Sequence, residues 1–147
     1  MLAARLVNLI EAHSEQLSEG LLNKLLTSER AADLRKVPVD ELRERTYEIY
    51  RNLSDWLLNK TEADIERRYV EIGQRRAQQG VAFSHFLWAL VATKAHLHEF
   101  LRREGLVEKA VELLGEVELL EALDQFFDRA LYYASVGYER ARSARAA

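Results

Sequence analysis

Apolar residues recur at spacings of three and four along almost the whole chain, and nowhere do they alternate over a sustained stretch. That periodicity predicts helices and no strand. A first helix over about residues 2–27 places Leu6, Leu9, Ile10, Leu17, Leu21 and Leu25 on one stripe, with His13 inside it. Thr27 to Arg30 and the segment from Asp33 to Pro38 read as a connection, because proline disfavours helix in the residue before it. A second helix over about 39–60 carries Leu42, Ile49, Leu53 and Trp56 on its buried face. Thr61-Glu62-Ala63-Asp64 has the form of an N-terminal cap and opens a third helix over about 62–79. The apolar face of that helix is thin: Ile65, Tyr69 and Ile72 give way to Gly73, Arg76 and Ala77. Gly80 is expected to end it as a left-handed cap.

The fourth helix, about 81–104, is apolar on nearly every side and is therefore predicted to be central and wrapped by the others. Phe86, Leu87, Trp88 and Leu90 are its expected core residues. A short fifth helix over about 106–114, a kink near Gly115 and a long last helix over about 117–143 complete the pattern. The last helix has the cleanest repeat in the chain. Leu120, Leu123, Phe127, Ala130, Ala134, Gly137 and Ala141 follow a heptad seam that shrinks from large to small side chains, so a backbone can approach its far end closely.

Composition agrees with this all-α reading. The 147 residues include one proline and six glycines, little punctuation for a fold of many short strands, and no cysteine. Without cysteine there is no disulfide framework or thiolate chemistry, as suits a reducing cytoplasm. A net charge of −3 and a pI near 5.9 argue against general nucleic-acid binding. The basic cluster Arg67, Arg68, Arg75 and Arg76 is diluted by Glu62, Asp64, Glu66 and Glu71. The start of the chain lacks a signal-peptide core. The longest uncharged run, between Arg76 and Lys94, is short against the ~20 apolar residues of a membrane span. A soluble, cytoplasmic domain covering residues 1–147 is expected.

Candidate chemistry is sparse. His85 and His96 return to nearly the same helical face but are separated by roughly 16 Å of rise, too far for one metal ion. His96 and His98 point to opposite sides. No Glu-x-x-His pair suggests a di-iron site, so no metal or cofactor is expected. A pocket, if present, is assigned to His85, Trp88, Lys94 and His96. The alternative function is a haem- or small-ligand-binding sensor that uses His85 or His96. Lys94 falls in the apolar series Phe83, Leu87, Leu90, Lys94, Leu97, Leu101 and must snorkel, pair with a carboxylate or meet an anion. Arg76 is expected to pair with an acid on another helix. The abundant glutamates sit beside Arg or Lys on polar faces and offer no nucleophile–base pair, so the chain is read as non-enzymatic.

Three segments taken together resemble the amino-terminal domain of the RsbR-type co-antagonists of the bacterial stressosome, including the RsbRD group. They are Leu9-Ile10-Glu11-Ala12-His13-Ser14-Glu15-Gln16-Leu17, Gly73-x-x-Arg76-Ala77-x-x-Gly80, and Leu123-Asp124-Gln125-Phe126-Phe127-Asp128 with Gly137-Tyr138-Glu139-Arg140. The likeness runs through essentially the whole chain in order and helix length. It implies a globin-like, non-haem sensory fold that dimerises and projects from the stressosome, with the last helix leading to a phosphorylatable STAS domain. From the residues themselves, a homodimer through Ala130, Tyr133, Ala134, Gly137, Tyr138 and Ala141 is expected, because the tyrosines add more apolar surface than a small domain readily covers. Gly73, Arg76 and Gly80 are assigned structural roles.

Overall fold

Helical periodicity becomes six α-helices in the computed structural model, which describes residues 4–104 and 110–146. They are α1 (Ala4–Ala12), α2 (Ser14–Thr27), α3 (Val39–Arg51), α4 (Glu62–Gln78), α5 (Phe83–Glu104) and α6 (Ala110–Ala146). No strand occurs among the described residues. The fold is all-α.

Several boundaries differ from the periodic expectation, each for a local reason. The predicted first helix divides at His13, whose backbone leaves the helical region and whose Nδ1 sits 2.9 Å from the Leu9 carbonyl. The first connection is itself ordered as a 3-10 helix, Glu29–Lys36, burying Ala31 and Leu34. The second predicted helix stops at Arg51 and resumes as a π-helical turn, Asp55–Asn59. The Glu11 carboxylate ties α1 to that junction by accepting from the Ser54 backbone N–H at 3.1 Å and its hydroxyl at 2.9 Å. Residues 106–109 of the predicted fifth helix lie outside the described residues. From Ala110 onward the chain is one helix with no break at Gly115, since a single interior glycine costs only ~1 kcal/mol.

α4 begins as the sequence suggests. Thr61 and Asp64 form a reciprocal capping box, with Asp64 N–H on Thr61 Oγ1 and Thr61 N–H on Asp64 Oδ2. It ends in a Schellman turn: Val81 N–H donates to the Arg76 carbonyl at 3.1 Å and Gly80 N–H to Ala77 at 3.0 Å. Gly80 sits at φ 77°, where a side chain would be strained.

The thin face of α4 finds its partner in α6, and the two helices run side by side in the same direction. Glu62 meets Arg129 near one end, and the Val81 carbonyl accepts from the Tyr138 hydroxyl at 2.6 Å near the other. Between them the backbones almost touch. A Cβ on Gly73 would lie 2.8 Å from the Ala134 carbonyl carbon and 2.9 Å from Tyr138 N. A Cβ on Gly137 would lie 2.7 Å from the carbonyl carbon of Val70. The small-residue seam is thus filled within the chain, which corrects its assignment as a dimer face. Ala130, Ala134, Gly137, Tyr138 and Ala141 are buried under α4 and α5. Tyr133 is half-buried, and burial first, with the Glu62 charge second, raises its phenol above the usual range.

α5 runs antiparallel to α6, from Phe83 and Phe86 against Tyr138 to Lys94 and His98 beside Asp124. It is not wrapped on every side as predicted. Phe86, Thr93, His96, Leu97, Phe100 and Leu101 are buried, whereas Leu87, Trp88 and Leu90 are half-buried and Val91 is 45% exposed. The central pair is α4 with α6, and α5 lies over it with one side open.

Candidate functional site

Between α3, α4 and α5 lies a cavity of ≈ 60 Å³, room for about four water molecules at ~15 Å³ each. Leu25, Leu34, Leu42, Tyr69, Phe86 and Leu90 supply much of its apolar wall, and Arg45, Glu48 and Arg76 bring charge to it. Thr46 and Thr93 also line it, but their hydroxyls donate to backbone carbonyls on their own helices. A clamp of charges stands at this cavity. The Glu41 carboxylate accepts from Arg75 at 2.9 and 2.6 Å, from Arg76 at 2.6 Å and from Gln79 at 3.1 Å. The Arg75 bonds foremost hold Glu41 well below the usual carboxylate range, at about 2, against the opposing effect of burial. Arg76 is only 3% exposed; burial lowers its guanidinium from the ordinary value while Glu41 opposes that shift. Sequence reasoning found Arg76 but not Glu41. The Glu41 charge looks solvated when α3 is read alone.

The second arginine-rich group is equally committed. Arg45 and Arg68 share the Glu48 carboxylate at 3.1 and 2.6 Å, and Arg67 pairs with Asp64 within α4. Burial raises Glu48, with the Arg45 charge acting the other way.

The four proposed pocket residues do not converge. Neither His85 nor His96 lines the cavity, and nor do Trp88 and Lys94. His85 Nδ1 accepts the Asp33 backbone N–H at 3.0 Å, while Asp33 caps α5 by accepting from Ala82 N–H at 2.8 Å. Trp88 lies under the Arg30 guanidinium, 4.7 Å from the ring centre. Lys94 reaches Asp124 at 3.0 Å. His96 is buried with both ring nitrogens engaged: Nε2–H donates to the Leu17 carbonyl at 3.1 Å, and Nδ1 accepts from Lys24 Nζ at 2.8 Å. The haem alternative is left without a histidine aimed into the cavity. The small residue that makes this possible, Gly20, went unnoticed in the sequence; a Cβ there would press on the His96 ring at 3.2 Å.

A family model for the N-terminal domain of RsbRD, an RsbT co-antagonist protein, matches residues 2–147. The chain belongs to this family. Membership makes it a stress-signalling domain, in accord with the resemblance carried by its three segments. No curated relative and no solved structure matches the chain.

Those three segments all lie where elements meet. His13 marks the break between α1 and α2. Gly73, Arg76, Ala77 and Gly80 give α4 its contact with α6, its ion pair with α3, a buried methyl and its stop. Phe126 packs against Trp56 and Tyr69, with ring centres 5.9 and 5.8 Å away, and Gly137 and Tyr138 close the other end of the α4–α6 contact.

Proposed function

We propose that this domain is the cytoplasmic, non-enzymatic input module of a stressosome regulator. In this reading it has a globin-like, non-haem helical arrangement, dimerises, and passes a conformational signal along α6 to a downstream partner such as a STAS domain. The observation that carries the reading is α6 itself. Its 37 residues form one helix, about 55 Å long at 1.5 Å per residue. Between Leu119 and Ala141 it buries residues along the shared core. Its contact with α4 is backbone on backbone, so a displacement of α4 cannot be absorbed by rotamer changes and must move α6 as a body.

Other features support the same reading. Buried polar groups such as Arg76, His96 and Tyr50 are spent on joining helices. No helix among the described residues is long and apolar enough to cross a membrane. With the small seam occupied by α4, the two-fold mate is assigned to exposed apolar residues of α5 and α6, Val91 and the 64%-exposed Tyr132.

Sedimentation at tens of micromolar tests the assembly, with a dimer as the expected species. Tyr132→Glu should split it with helix content intact. A parent protein that sediments as a monomer overturns the dimer, and a dimer indifferent to Tyr132→Glu overturns this choice of face. A spin label near the C-terminal end of α6 tests transmission in the same preparation: Gly73→Ala, which must push α4 off α6, should change its distance to a label on α2. No change there overturns the role of α6.

A further inference from the structure

α5 carries two histidines separated by a single residue, His96 against α2 and His98 beside Asp124 of α6, and proton uptake acts oppositely on their contacts. On the α2 side, His96 works only as a neutral ring. Its Nε2–H serves the Leu17 carbonyl, and its Nδ1 lone pair receives an N–H from the Lys24 ammonium at 2.8 Å. Protonation would set an N–H cation against that ammonium, removing the bond and placing like charges in contact. Glu99 is the nearby charge that favours the protonated ring, and burial with Lys24 outweighs it. Lys24 already occupies Glu99 at 2.6 Å, and Arg103 on α5 adds a further positive charge. From α3, Tyr50 packs its ring 6.4 Å away, its hydroxyl donates to the Thr93 carbonyl, and burial pushes that phenol far up, so it stays uncharged.

On the α6 side the sign reverses. His98 Nε2 lies 3.5 Å from Asp124 Oδ1, cut off from solvent and without a hydrogen-bond partner. Lys94 Nζ lies 3.0 Å from the same oxygen. A protonated His98 would add a second cation to a carboxylate that now holds one, strengthening the tie between α5 and α6.

We propose that α5 is a proton-driven lever: acidification breaks its His96–Lys24 tie to α2 and tightens its His98–Asp124 tie to α6, shifting α5 away from the first helices and onto the long one. The lever lies within one chain, so a monomeric result in the sedimentation experiment leaves it standing, whereas its own failure leaves the dimer reading standing.

The absence of cysteine lets the movement be read directly, because introduced cysteines are the only labelling sites. Spin labels at Asn23→Cys with Ala95→Cys report α2 to α5, and labels at Ala95→Cys with Gln125→Cys report α5 to α6; all three positions are exposed. Passing from about pH 8 to about pH 5, with the lower end chosen because burial lowers His96, the first distance should lengthen and the second shorten by about 1–2 Å, the scale of a helix shift. Lys24→Met should abolish the first change and Asp124→Asn the second, each leaving the other in place. In ring-nitrogen NMR the His96 midpoint should rise in Lys24→Met. Distances that stay constant with pH in the parent overturn the lever. So do changes that persist in both variants, or a His96 midpoint indifferent to Lys24.

Discussion

Glu41 takes four hydrogen bonds from three side chains, and this makes acid stability a readout of one carboxylate. Its folded-state value of about 2 lies below the ordinary 4.5, so the unfolded chain binds the proton more readily. The associated stability is complete above about 4.5 and is lost as pH falls towards 2. It amounts to roughly 3 kcal/mol by linkage. Urea unfolding measured from pH 7 down to pH 2 should therefore steepen below 4.5 in the parent and flatten in Glu41→Gln, which also starts from lower stability. Equal slopes in the two proteins would remove the clamp from the account. Gly73 supports a second expectation at this scale. Alanine favours an isolated helix by ~1 kcal/mol, yet its Cβ would meet the Ala134 backbone, which no rotamer can relieve. Gly73→Ala should be destabilising by about 1–3 kcal/mol, read from the shift in urea midpoint. A more stable variant would mean the two backbones separate at no cost. Roles that depend on backbone conformation or on the lack of a side chain, as at Gly73 and Gly80, are written locally and could be read from the sequence. Partners such as Glu41 for Arg76, or Gly20 for His96, are far away along the chain, and no local pattern indicates them.

Among elements, α5 shows what periodicity leaves undecided. Apolar residues on all its faces made each face a candidate for burial, and the series through Leu87 and Leu90 looked continuous. The structure buries the series through Phe86, Thr93, Leu97 and Phe100 instead, because the neighbours of α5 cover only that side. Phe86→Ala should therefore cost ~3–5 kcal/mol, while Leu87→Ala, half-buried, should cost about 1 kcal/mol or less by the smaller area withdrawn from water. Similar losses at both positions would show α5 enclosed all round after all. The heptad seam of α6 was legible as a close-packing surface. Its partner was not, for small residues specify only that some backbone comes near. Gly73 lies opposite that seam, and the match of one thin face to another was the signal available in the sequence.

At the scale of the molecule, one continuous apolar cluster takes a side chain from every helix: Leu6, Leu21, Leu34, Tyr50, Tyr69, Leu97 and Leu123. Helices that share a core in this way cannot lose it singly, so the chain should unfold in one cooperative step. The two tryptophans sit apart, Trp56 beside Tyr69 and Phe126 and Trp88 beneath Arg30, and so report on separate regions. Tryptophan fluorescence of Trp56→Phe and of Trp88→Phe, with far-ultraviolet dichroism, should give coincident thermal transitions. Leu123→Ala on α6 and Leu21→Ala on α2 should each cost ~2–5 kcal/mol and lower the same transition. Separate transitions would mean that α6 detaches while the rest stays folded. The relay proposed for α6 excludes that outcome, because a helix that melts away from its core relays nothing about the core's arrangement. The backbone contact at Gly73 and Gly137 favours movement of α6 as a rigid piece, while the open side of α5 leaves room for a neighbouring helix to shift without loss of the shared core.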